Sequence, residues 1–400
     1  ATEIYQEGLR IPILKLYDRG KANDSIWDII RQNVRLPEKV VGDLGAQISA
    51  CHGAEREFTD LFNRYGAETM VLYIEEIHNY AERLARAEIA GIPDGTYEFT
   101  DHLDGLGSDP EPIVFELKLT VKGEEIIVDW TGTSHAVKGG INSPVPFTKA
   151  AAYTAIKCVM VSDIPNSHGF TRPITVIAPE GTVVNPQHPF PCGARGISGF
   201  RMIDCIFGAL AQAVPDRVTA DGNGGSTLVG YGGYQDGRPF VYVETIWGTW
   251  GGASTHDGQE GVPHMGANQS NVPIEMIEAE QPLRIERYSY IANTGGPGKF
   301  RGGLSTVRDV RSLADEAVLT VRTDKRRYPP HGLNGGKPGA PTWSIVNPDT
   351  ENRMLPVLIT DPVTLVKGDL FSHLLPGGGG HGDPLERDPE HVLKDVLEER

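Results

Sequence analysis

The sequence predicts an α+β protein, and three observations carry that prediction. Apolar residues from Asp24 to about Ala90 recur at helical spacing. From Gly95 the pattern switches to short alternating runs rich in β-branched and aromatic residues, the mark of strands. Helical and strand patterns then interleave until strands take over after Leu283. The expected organisation has three parts. Residues 1–92 form an extended segment and a helical hairpin region, 93–282 a mixed α/β core rich in glycine loops, and 283–400 a β-rich part with a short helical tail.

Residues 8–17, GLRIPILKLY, alternate apolar and polar and predict an extended segment broken by Pro12. Asp24 or Ser25 can cap a first helix, whose face carries Ile26, Ile29, Ile30 and Val34. Pro37 opens a second, with Leu44, Ile48, Cys51, Phe58, Leu61 and Phe62 on one side. A third starts at Ala67 and carries Met70, Leu72, Tyr73, Ile77, Tyr80 and Leu84. Gly66 separates the last two, which are expected to fold back as an antiparallel pair. TYEFTD, PIVFELKLTV and EEIIVDWTGT read as strands split by turns. Helices are expected at about Thr148–Val161 and Ile197–Val214, with strand ITVIAP between them. IEMIEAE reads as a short helix, and the closing DPEHVLKDVLEER as a polar helical tail.

The formal net charge of −16 argues against wrapping nucleic acid or docking on anionic lipid. DKRRY, at Asp324–Tyr328, is the only compact basic run. Four scattered cysteines without a CxxC pair predict reduced thiols in a cytoplasmic protein. No apolar run reaches the roughly 18 residues that suggest a bilayer span. The chain opens without methionine and directly into strand-like sequence, which predicts a processed end or a truncation.

Asp221–Asn271 concentrates glycines, Trp247 and Trp250, and frames the strand-like run PFVYVETIW. Glycine loops at both ends of a buried strand are a common way to build a site. His256, Asp257 and His264 are the candidate catalytic residues there, whether as ligands for zinc, iron or manganese or as pocket residues around the chemistry. Their spacing matches no zinc signature, and Asp257 before Gly258 also suits a turn. Arg195, Arg201 and Asn223 are candidates for binding substrate or phosphate, because arginine forks match carboxylate and phosphate geometry. Cys192 beside these arginines is expected to be buried and inert. GLNGGKPG lacks the Lys-Ser/Thr ending of a phosphate loop, and LPGGGGHGDP is expected to be a tight structural loop. Asp129, Ser134 and His135 do not stand at triad-like positions.

The order of these segments is more telling than any one of them. VDWTGTS, GGINSP, DIPNSHGFTRPITVIAPEGTVVNP and ARGISGFRMIDCIFGALAQAVPDRV follow one another. Then come NVPIEMIEAEQPLRIERYSYIANTGGPGKFRGG, DKRRYPPHGLNGGKPG and PGGGGHGDPLER. Together with ATEIYQEGLRIP and GDLGAQISACHGAERE at the start, they resemble the B-type subunit of the hydantoinase/oxoprolinase family over essentially the whole chain.

That resemblance implies a partner, an A-type subunit that binds ATP with magnesium and hydrolyses it, within a heteromer of higher order. It implies opening of cyclic amides such as hydantoins, 5-oxoproline or lactams, with carboxylation of ketones as the related alternative and a non-catalytic scaffold role as a third reading. It also implies a divalent metal: zinc, manganese or iron. In the family a His-His-x-Asp-type metal motif precedes the point where this chain begins. Gln6 and Glu7, which would directly follow that motif, are the expected remnants of the metal site.

Overall fold

Helices form where the apolar spacing places them: α1 at Asp24–Asn33, α2 at Pro37–Tyr65 and α3 at Ala67–Ile89. The computed structural model describes residues 1–223 and 227–400. They divide into two compact units. The smaller contains Glu7–Ala85 with Ile164–Arg172, and the larger contains Ala1–Gln6, Arg86–Asp163 and Pro173–Arg400. These lines differ from the expected three-part division.

In the smaller unit, α1 buries Ile26, Trp27 and Ile30 and packs on α2. Residues 7–16 form no strand and lie largely exposed. Only Tyr17–Asp18 pairs, with Lys21–Ala22. The antiparallel α2/α3 pair does not form either. The single residue Gly66, at φ 81° and ψ 150°, joins the two helices. A helix pair needs a loop of about two to five residues to reverse direction. Segment 164–172 packs on α3 instead. A Cβ on Gly169 would stand 1.8 Å from the His78 carbonyl oxygen, and Arg172 bridges Glu75 and Glu82 at 3.0 Å each.

The larger unit holds three principal sheets. In the first, β1 (Gly95–Leu103), β2 (Ile113–Lys122), β3 (Glu125–Asp129) and β4 (Ile174–Ile177) lie in that order. Its pairs are antiparallel except β3 with β4. Burial alternates along β2, as its sequence predicts. Helix α4 (Val145–Cys158) packs on α5 (Gly196–Leu210), and α5 lies on β1 and β2. Arg195 precedes α5, and nearly every side chain of α5 is buried.

Next come β5 (Thr227–Gln235), β6 (Arg238–Ile246), the short α6 (Ile274–Glu280), β7 (Leu283–Ile291), β8 (Ser305–Ser312) and β9 (Glu316–Arg322). They are followed by β10 (Trp343–Val346), β11 (Arg353–Met354), β12 (Val363–Val366), β13 (Leu370–Leu374) and α7 (Pro389–Leu397). One sheet has the order β12-β9-β5-β6 and the other β7-β8-β13-β10-β11. Pairing of β5 with β9 carries the sheet across the expected boundary at residue 283. Val229, Tyr231, Val310, Leu319 and Phe371 share one core between these sheets.

The glycine-rich loops interlock. Gly252 N–H donates to Gly379 O at 2.8 Å, Gly379 N–H to Asp221 O at 2.8 Å, and Gly378 N–H to Gly303 O at 2.9 Å. A Cβ on Gly378 would stand 2.2 Å from the Trp250 carbonyl oxygen. Segment LPGGGGHGDP is therefore a strut on which several backbones cross without side chains, as its structural reading expected.

Candidate functional site

Helix α5 organises the site because both its start and its buried face carry polar groups. At its start, Phe147, Gly193, Arg195, Phe200, Trp247 and Gln269 line a pocket of about 290 Å³. The Arg195 guanidinium lies 5.3 Å from the Phe147 ring centre, a cation–π distance. Phe200 meets Trp247 edge-on at 5.7 Å. Trp247 is buried, and its indole Nε1 has no hydrogen-bond partner among the described residues. Aromatic walls and an exposed arginine suit an apolar ligand that carries negative charge.

Behind Phe200 lies a buried polar network. Its ring packs at 4.6 Å on His264. Gly266 N–H donates to Nδ1 of His264 at 3.0 Å, so the other ring nitrogen, Nε2, holds a proton and donates to Asp204 at 3.1 Å. Lys325 reaches Asp204 at 3.3 Å and pairs closely with Asp221. Arg201 lies 3.0 Å from Asp101, pairs closely with Asp324 and approaches Asp221 at 3.6 Å. Burial opposes charge on Asp221, yet Lys325, His331 and Arg201 outweigh it and hold the carboxyl well below the usual range. Burial also opposes charge on His331, but Asp221, 3.3 Å away, raises its pKa. Burial pushes Asp324 up despite Arg201 beside it. Asp104 accepts backbone N–H groups from Arg326, Arg327 and Tyr328 and fixes the loop that delivers Lys325.

The expected site residues separate in space. Arg195 lines the pocket with Trp247, and His264 stands one ring behind it. Arg201 is buried with both terminal guanidinium nitrogens on carboxylates, so that end is not open to phosphate, while its Nε has no partner among the described residues. Asn223 is buried and its N–H donates to Thr249 O at 2.9 Å; the next three residues fall outside the described ones. His256 is exposed, with Nδ1 at 2.8 Å from the Asp257 carbonyl. Both carboxylate oxygens of Asp257 are gripped by Arg387, at 2.7 and 2.8 Å, so Asp257 fastens the carboxy-terminal helix and does not join His264. Cys192 is half-buried, whereas Cys205 is the fully buried thiol, raised by burial.

Sequence reasoning missed Asp101, Asp104, Asp204, Asp221, Asp324, Lys325 and His331. DKRRY reads as a surface patch, yet its lysine is fully buried in the left-handed region at φ 71°. The only local hint was a lone acid–base pair, Asp324-Lys325, before PPHG.

The residues fit a metal poorly. Gln6 Oε1 accepts the Thr2 N–H at 2.6 Å, Glu7 is exposed, and no third ligand joins them among the described residues. Asp101, Asp221 and His331 bring ligand atoms within 4.8 Å of one another. Arg201 and Lys325 already neutralise those carboxylates, so a divalent ion there would face two fixed cations.

Residues 1–384 match the family model for hydantoinase B/oxoprolinase. The chain belongs to this family. Among its relatives is the B-type subunit of a putative D-/L-hydantoinase from Pseudomonas sp. (strain NS671). It is 36% identical over 410 residues, covering 100% of this chain and 69% of the relative. The crystal structure of ATP-dependent caprolactamase from Pseudomonas jessenii superposes with a TM-score of 0.88 at 27% identity, over 99% of this chain and 70% of that one. A nucleotide-free acetone carboxylase shares the fold, with a TM-score of 0.89 at 17% identity, over 99% of this chain and 60% of that one. The α+β architecture is thus the family's own. No helix among the described residues is long and apolar enough to cross a membrane.

Proposed function

We propose that this chain is the B-type subunit of an ATP-dependent enzyme that opens a cyclic amide. An A-type partner phosphorylates the ring oxygen with ATP and magnesium, which makes the ring carbon electrophilic. The activated ring then reacts with water at this chain. One observation carries the reading: whole-chain similarity to a B-type hydantoinase subunit, with the caprolactamase superposition in support.

In this reading the pocket at the start of α5 takes the activated ring. Phe147, Phe200 and Trp247 form aromatic walls around it, and Arg195 holds its negative charge. His264 and Asp204 position Phe200 from behind. A divalent metal would activate the attacking water. Its ligands are not assembled by Gln6 and Glu7, so no step is assigned to it on this chain.

The test mixes the complete gene product with its A-type subunit, ATP, magnesium and a panel of hydantoin, 5-oxoproline and caprolactam. Release of ADP together with one open acid is expected. Substrate-independent ATP hydrolysis across the panel would sink the reading. Bicarbonate-dependent consumption of acetone would replace it with ketone carboxylation.

A further inference from the structure

The longest helix of this chain is also among its least buried. None of the 29 residues of α2 is buried. Along α3, residues 67–77 are exposed apart from Met70. Both helices nevertheless carry apolar stripes at helical spacing: Phe58, Leu61 and Tyr65 on α2, and Tyr73, Ile77 and Tyr80 on α3. These six side chains are between 41% and 62% exposed. Large side chains bury about 150–250 Å² each, so the six leave on the order of 600 Å² of apolar surface in water. Each stripe alone, about 300 Å², already reaches the size of the largest patch on an ordinary monomer, about 300–600 Å². The two together approach the roughly 800 Å² that one partner brings to a standard interface. Because α2 and α3 do not pack side by side, neither stripe covers the other.

The surrounding charge selects the kind of cover. Helix α2 carries five acidic and three basic side chains, and α3 five acidic and two basic. The whole chain carries −16. A second copy would bring like charge to the same stripes, which disfavours association. A different chain with lysines and arginines around an apolar groove matches both features.

We propose that the stripes of α2 and α3 are the docking surface for the ATP-binding A-type subunit, through an apolar groove edged by basic side chains. The identity of that partner rests on the proposed function, whereas the surface and its chemistry rest on exposure and charge.

Hydrogen exchange on the complete gene product, alone and with the A-type subunit, tests this without ATP or substrate. Amides of residues 53–65 and 67–80 should exchange fast in the free protein and at least about tenfold slower in the complex. The double variant Leu61→Lys/Ile77→Lys should weaken association about 30-fold and leave the melting temperature of the free protein unchanged. Fast exchange that persists in a formed complex would overturn the proposal, as would failure to form any complex. Protection already present in the free protein would also overturn it, with light scattering assigning the cover to a second copy or to the same chain. Since the readout is binding, a protected complex that opens no ring would contradict the proposed function and leave this surface standing.

Discussion

Two sets of Arg–Asp pairs within the larger unit look alike in composition and differ in physics. Around Arg201 and Lys325, four aspartates are sealed from water, and each cation serves more than one carboxylate. Around Asp257, the pairs with Arg301 and Arg387 and the further contacts of Asp395 and Glu260 lie nearer the surface, where they clasp α7. A buried pair gives little net stability over an apolar substitute but fixes geometry, since removing one partner strands a charge. A surface pair holds loosely and yields to salt. Only the buried set stands behind the α5 pocket; the clasp restrains a terminal helix.

Breaking the buried set should therefore have the largest effect. Lys325→Met would leave Asp204 and Asp221 without their shared cation and should cost about 3–5 kcal/mol in urea unfolding. A loss under about 1 kcal/mol would show that the carboxylates simply protonate and that the network has little hold on the fold.

The pH dependence sharpens the contrast. Asp221 and Asp257 both have lowered folded pKa values. Their stabilisation is complete above the ordinary carboxylate range and is lost as pH falls through the folded values. His331 is shifted the other way. Its stabilisation is complete below about pH 6.5 and is lost as pH rises through its raised folded value. Stability should thus decline on the alkaline side as well, and His331→Gln should flatten that decline while leaving the acid side in place. Unfolding free energies from pH 5 to 9 decide this; an unchanged alkaline slope would remove His331 from the network's balance.

Cutting the clasp should cost less. Asp257→Asn removes the bidentate contact with Arg387 and should cost about 1 kcal/mol, seen mainly as faster amide exchange in residues 389–397. The smallest expected effect is that of salt. Raising ionic strength to about 1 M shortens the Debye length to about 3 Å and should speed exchange in α7 without touching the amides of α5. Equal salt sensitivity in both regions would erase the distinction.

Much of the architecture was legible in the sequence because it is written locally. Helical spacing located α1, α2 and α3, and the period-two pattern located β1, β2 and β3. PFVYVETIW became β6. What failed depends on contacts remote in sequence or on the length of one joint. Gly66 marked a break, but a single residue is too short a loop to fold α3 back on α2. Arg201 looked available for phosphate because its partners Asp101 and Asp324 lie 100 and 123 residues away. The same distance hid Lys325, whose basic neighbours imitate a surface patch. His256, Asp257 and His264 are close in sequence, yet glycine loops direct them to different neighbours.

The most direct measurement compares substrate-dependent ADP release by Arg195→Ala and Asp257→Asn enzymes reconstituted with the A-type subunit. A fall of about 100-fold in kcat/KM is expected for Arg195→Ala, mostly in KM, as follows from losing a charge contact to the bound ring. For Asp257→Asn the expected change is within about twofold. Full activity in the Arg195 variant with loss in the Asp257 variant would contradict this assignment and return the chemistry to the clasp.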